Sequence, residues 1–93
     1  MTILNDSEIH RELKIMTGWI KLGDKIKKKF EFKDFIQAMG FVNSVALLAE
    51  RANHHPDIDI RWNKVLLVLS THSENGITKK DIALAKEIQS LLK

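Results

Sequence analysis

Three of the chain's four histidines stand close together, as His54-His55-Pro56 and, beyond an apolar run, His72. Imidazole is the side chain whose ordinary titration falls near neutrality, so a cluster of imidazoles can give and take protons at pH 7. Three other uses of the cluster need weighing. Imidazoles with a carboxylate such as Glu50 or Asp81 are legitimate zinc or iron ligands. However, adjacent histidines diverge unless the backbone bends sharply, and neither His-Glu-x-x-His spacing nor any cysteine is present, so no metal is expected. Nucleophilic catalysis is weaker still, because Ser70 and Thr71 lack the Gly-x-Ser-x-Gly elbow that exposes a nucleophile. A structural role at a helix C-terminus would explain any one of the histidines, but explains three together less well.

The elements that must position these residues are legible from periodicity. Between Asp34 and about Ala52, Phe35, Ala38, Met39, Val42, Val45, Ala46 and Ala49 recur at helical spacing, with Gly40 the one glycine and no proline. Phe41 and Leu48 widen that apolar surface beyond one stripe, which leaves room for an oligomer contact. Pro56 forces His55 out of helical geometry, so His54 and His55 fall at the helix C-terminus. Ile58, Ile60 and Trp62 then alternate with Asp57, Asp59 and Arg61, as in a strand with one wet face, and Asn63-Lys64 is the expected turn. By parity Trp62 belongs to core or subunit packing.

Val65 to Leu69 is apolar at every position, as suits a central strand covered on both faces, and His72 marks its exit. Ser73 to Gly76 reads as a loop. Thr78-Lys79-Lys80-Asp81 has the form of a capping box opening a last helix, whose buried face is Ile82, Ala85, Ile88 and Leu92. Toward the N-terminus, residues 6–15 form a short helix started by Asp6 or Ser7, with Ile9, Leu13 and Met16 on one side. Thr17 to Leu22 is a first strand, and Gly23-Asp24 turns it into a second. In Lys25-Ile26-Lys27-Lys28-Lys29-Phe30-Glu31-Phe32 the apolar residues share one parity and most lysines the other. The lysines read as a solvated face that discourages edge pairing. Lys28 is the exception, on the apolar face, its head snorkelling to water at a sheet edge.

The expected fold is therefore α+β, a two-layer β-β-α-β-β-α domain in which two helices cover one face of a four-stranded antiparallel sheet, preceded by a short N-terminal helix. Ninety-three residues suffice for one such domain over 1–93, and not for separate cofactor and substrate domains. With 44% hydrophobic and 29% charged residues the chain is a folded globule, and the absence of cysteine excludes disulfides and thiolate nucleophiles. No leader or membrane-spanning run is visible, which fits a cytoplasmic protein that needs no membrane. The net charge of +3 is mild, and the aromatics lie opposite most lysines, so no nucleic-acid partner is expected.

Glu50, three residues, His54-His55-Pro56, five residues, Trp62, nine residues, His72, eight residues and Asp81 resembles the signature of the pterin-4a-carbinolamine dehydratases. The likeness extends to Gly18-Trp19, Phe30 to Phe35, Asn63-Lys64-Val65, Leu69 to His72, Gly76-Ile77-Thr78 and Asp81 to Ala85, covering about Glu12 to Ile88. Its fold of two hairpins alternating with two helices agrees with the one read above. The resemblance implies dehydration of a 4a-hydroxytetrahydropterin to quinonoid dihydropterin, a step of pterin recycling that needs no metal or organic cofactor. It makes His54 and His72 the acid/base pair and has His55 bind and orient the pterin, while Asn53, Pro56, Ser70, Thr71 and Ser73 line the pocket. Ser73 departs from the acidic residue that many relatives carry there.

Glu50, one turn before His54, would orient that imidazole or form a plain exposed i, i+4 pair. Asp81 would bond a catalytic histidine or act as an ordinary cap. Trp19 is a candidate pocket wall, and His10 a surface residue. The resemblance further implies a homodimer or homotetramer. Because some relatives act as dimerisation cofactors of a transcription factor, a noncatalytic interaction module serving as a transcriptional coactivator is the alternative.

Overall fold

A computed structural model describes residues 2–92. The elements run α1 (Asp6–Leu13), β1 (Ile20–Leu22), β2 (Lys25–Glu31), α2 (Phe35–Ala52), β3 (Asp57–Arg61), β4 (Lys64–Leu69), a 3-10 turn (His72–Glu74) and α3 (Lys79–Ser90). The four strands form one antiparallel sheet in the order β1-β2-β4-β3. This is the expected two-layer α+β architecture, with the N-terminal helix present and joined to the core through Ile9. Its cap is Asn5 rather than Asp6 or Ser7. The Asn5 side chain accepts from the Glu8 N–H at 2.8 Å while Glu8 accepts from the Asn5 N–H, a reciprocal capping box.

The core lies between the helices and one sheet face. Ile26 and Phe30 of β2 and Val65, Leu67 and Leu69 of β4 meet Ala38, Phe41 and Val45 of α2 and Ile82, Ala85 and Ile88 of α3. Phe41 stacks at a tilt on both Phe30 and Phe32, with ring centroids 4.8 and 4.9 Å apart. Each of the buried Val, Leu, Ile and Phe side chains contributes roughly 1.5–3 kcal/mol relative to exposure. The long helix begins where expected, Asp34 capping it by accepting from the Gln37 N–H at 2.8 Å.

Four local expectations are corrected. β1 has three residues, because Trp19 turns into the core before pairing begins, and its indole Nε1–H donates to Gln89 at 3.3 Å. β2 is an inner strand, so Lys28 does not escape at an edge. It runs along the apolar face over the Phe30 ring and donates to the Thr17 carbonyl and to Gln89 Oε1, both at 2.7 Å. Burial lowers its pKa below the ordinary lysine value. The stem passes so close to Gly18, at φ +89°, that a Cβ there would stand 2.8 Å from it.

β4 is covered on one face only. Val65, Leu67 and Leu69 are buried, whereas Leu66 and Val68 are half-buried beside their β2 partners Lys29 and Lys27, whose stems screen them. The β3–β4 turn is Trp62-Asn63, not Asn63-Lys64, since Arg61 pairs with Lys64. Asn63 is buried, exchanging hydrogen bonds with the Phe32 backbone, and the chain reaches it by placing Trp62 at φ 53°. Trp62 is consequently exposed, 64% of its surface facing out, which leaves subunit packing of the two expected alternatives.

Candidate active site

The site is assembled from the C-terminus of α2, the exit of β4 and the N-terminus of α3. α2 ends in a Schellman turn: Asn53 adopts the left-handed conformation at φ 50°, its N–H bonds Glu50 O at 3.2 Å, and the His54 N–H bonds Ala49 O at 3.1 Å. Asparagine tolerates that conformation better than branched residues do. The turn reverses the chain so that His54 heads inward, and Pro56 then prevents any return to helix before β3 begins.

β4 ends at Leu69, and His72 stands beyond it at the start of the 3-10 turn rather than on the strand. A bridge between Thr71 and Gly76, with Thr71 N–H to Gly76 O at 2.8 Å, closes the base of this turn and pins His72. Gly76 leaves room for the Ile3 side chain, which a Cβ would approach to 2.9 Å and have to displace. α3 opens with the expected capping box, Thr78 at the cap and Asp81 three residues on.

Asp81 joins the three elements. Completely buried, it accepts the Thr78 N–H at 2.9 Å and the Thr71 hydroxyl at 2.8 Å on Oδ2, while Oδ1 lies 2.6 Å from His54 Nε2. The cap and the histidine partner are therefore the same carboxylate, one oxygen serving each. A carboxylate can only accept, so the hydrogen is assigned to Nε2 of His54 and the lone pair to Nδ1. Glu50, by contrast, does not reach His54. Its Oε2 holds His55 Nε2 in an exposed pair, because the Schellman turn carries His54 away and leaves His55 beside the last turn of α2.

Asn53, His54, His55, Ser70, Thr71, His72, Ser73 and Lys80 line one open hollow of about 280 Å³. All three clustered histidines thus share a rim, together with most of the expected lining. Pro56 and Glu50 are not among the lining residues, and Trp19 borders a different hollow with His10, Leu13 and Ile20. The Thr71 hydroxyl is spent on Asp81 and Thr78. Lys80 was missed. Its signal was present, since two lysines in the first turn of a helix oppose the macrodipole and call for a use. Among the described residues no three His, Asp or Glu side chains converge as a metal cage would need. No helix there is long and apolar enough to cross a membrane.

Chemically, the hollow offers one imidazole fixed by a buried carboxylate, one on an exposed carboxylate and one on a pinned turn. Such a set can exchange protons with a small polar ring seated between them.

Comparison with known proteins agrees. Residues 2–91 match the family model described as pterin 4 alpha carbinolamine dehydratase. A Roseiflexus castenholzii protein that carries this enzyme's name provisionally is 51% identical over 90 residues, covering 97% of both chains. A Sulfurisphaera tokodaii protein of the same provisional name is 47% identical over 99% of both. The crystal structure of a Brucella melitensis protein described as a transcriptional coactivator/pterin dehydratase superposes with a TM-score of 0.94 at 39% identity, covering 97% of this chain and 98% of that one. A pterin dehydratase-like RuBisCO assembly factor shares the fold, with a TM-score of 0.66 at 22% identity over 78% of this chain and 84% of its own. The chain belongs to the pterin-4a-carbinolamine dehydratase family.

Proposed function

We propose that this protein dehydrates 4a-hydroxytetrahydropterins to quinonoid dihydropterins by histidine acid/base catalysis, in the service of pterin recycling. The observation that supports this most is His54, on the rim shared with His55 and His72, with its Nε2 bonded to a fully buried Asp81. Dehydration breaks the C4a–O bond and forms a C=N bond. One acid must protonate the departing hydroxyl, so that it leaves as water, and one base must take the ring N–H proton. His54 and His72 fill these two roles, His54 through Nδ1. His55 binds and orients the ring, and Asn53, Ser70 and Ser73 supply polar contacts to its amide-like edge.

A dehydration assay on a 4a-hydroxypterin generated in situ tests the reading. The expected result is a rate well above the spontaneous one, and no acceleration by the wild-type protein would sink it.

Self-association fits the surface of the same chain. Ile36 and Leu47 are exposed on one stripe of α2, and Ile58 and Ile60 of the edge strand β3 and Trp62 of the turn after it are exposed as well. We take these as faces of a homo-oligomer, dimer or tetramer. The coactivator reading would use the same faces and not the imidazoles. It is favoured over catalysis only if turnover is absent while a stable assembly is seen by sedimentation.

A further inference from the structure

We propose that Thr71 is a positioning residue: with Thr78 it forms a one-way hydrogen-bond chain that fixes Asp81, and through it holds His54 in the tautomer that leaves Nδ1 to exchange the substrate proton. The proposal rests on the dehydratase reading and adds to it a residue that touches no reacting atom.

Donor accounting sets the direction. Thr71 Oγ1 lies 2.8 Å from Asp81 Oδ2 and 2.8 Å from Thr78 Oγ1. A hydroxyl has one proton, and the carboxylate can only accept it. Thr71 therefore donates to Asp81, and the Thr78 hydroxyl must donate to Thr71. Thr78 Oγ1 in turn accepts the Lys80 backbone N–H at 3.2 Å. The order runs Lys80 N–H to Thr78, Thr78 to Thr71, Thr71 to Asp81, with His54 Nε2–H closing on the other carboxylate oxygen. Turning the Thr71 proton toward Thr78, or moving the His54 hydrogen to Nδ1, would set a lone pair against the carboxylate, and Thr71, Thr78 and Asp81 are all buried, where water cannot repair the fault.

The chain also constrains rotation. Oδ2 is held by a side chain from the exit of β4 and by a backbone N–H at the start of α3, two directions that fix the plane of the carboxylate. Oδ1 is thereby aimed at the imidazole. Without the Thr71 hydroxyl only the Thr78 N–H would hold Oδ2, and the carboxylate could turn about its own bond. His54 would then lose the fixed acceptor that selects Nε2–H, as a catalytic imidazole loses its tautomer when its orienting carboxylate is disturbed.

The test compares wild type with Thr71→Val, which keeps the shape and removes the hydroxyl, and Thr71→Ser, which keeps the hydroxyl. Two measurements are made on the full chain: kcat and KM for dehydration, and the 15N NMR signature of the His54 tautomer. The expected result is that wild-type His54 carries its hydrogen on Nε2. Thr71→Val lowers kcat on the order of tenfold with KM within about twofold, as loss of an orienting outer partner does. It also mixes the His54 tautomers, and Thr71→Ser restores both readouts.

An unchanged kcat and tautomer in Thr71→Val would overturn the proposal, as would a rise in KM alone, which would make Thr71 a pterin contact. If Thr71→Val does not fold, wild type and Thr71→Ser still decide: a hydrogen on Nδ1 in wild type, or a tautomer lost in the serine variant, refutes the chain. If wild type shows no dehydration the enzyme reading fails by itself, and the tautomer comparison alone supports or refutes the role of Thr71.

Discussion

His54 and His55 adjoin in sequence, yet the first meets a carboxylate buried in the core 27 residues away, and the second meets an exposed one five residues back on the last turn of α2. The side chain of His54 is 11% exposed and that of His55 57%. A pair whose carboxylate is wholly buried among three donors is expensive to disturb, because a carboxylate left without its partner stays out of water. An exposed pair is screened and contributes roughly 0–1 kcal/mol. One left-handed residue, Asn53, produces this division by sending consecutive side chains to opposite sides of the turn. A rigid imidazole suits proton transfer, whose rate depends on fixed geometry, while a looser one suits capture and release of a ligand.

The comparison breaks most visibly if the rigid member is removed. His54→Ala and, separately, His72→Ala should each lower kcat by roughly 10²–10⁴-fold, the span of a general acid or base, while sedimentation and circular dichroism stay as in wild type. Wild-type activity in both variants would end the assignment of these two imidazoles. Asp81→Asn comes next. It keeps the side-chain volume but puts an amide among three donors, so turnover should fall on the order of a hundredfold, toward the lower end of that span. Urea denaturation should show a loss of about 1–3 kcal/mol, because one of the buried donors is left unpaired. A stability loss without a kinetic one would reduce Asp81 to a cap.

What could be read from the sequence, and what could not, divides along the same line. The helix from Asp34, the Gly23-Asp24 turn and the Thr78 cap are set by residues within a few positions of each other, and each stands where expected. The histidines, Thr71 and Asp81 could be named as site residues, but which carboxylate serves which imidazole could not. Helical spacing puts Glu50 four residues before His54, and only the Schellman turn, whose geometry depends on one backbone torsion, transfers Glu50 to His55. Lys28 failed for a related reason. Parity gave its face correctly, but its fate depended on which strand lies at the sheet edge, and that is decided by β4 pairing with β2 some forty residues later. Parity left Trp62 to core or subunit packing, and what removes it from the core is Asn63 bonding to Phe32, a contact across 31 residues with no local sign.

The loose member of the pair offers the smaller effects and the sharper discrimination. If His55 captures the ring without moving a proton, His55→Ala should raise KM several-fold and leave kcat far closer to wild type than His54→Ala does, the pattern of lost uniform binding. A fall in kcat equal to that of His54→Ala would show that both imidazoles act on the reacting atoms and that burial does not divide their roles. Glu50→Gln then asks whether the exposed carboxylate matters to His55. Its side chain is three-quarters exposed and can be replaced by water at little cost, so stability should change by less than about 0.5 kcal/mol. KM should move by less than about twofold. Asp81 and Glu50 would then be two carboxylates each bonded to a histidine Nε2, one indispensable and one nearly silent. What separates them is whether the carboxylate is surrounded by protein donors or by solvent.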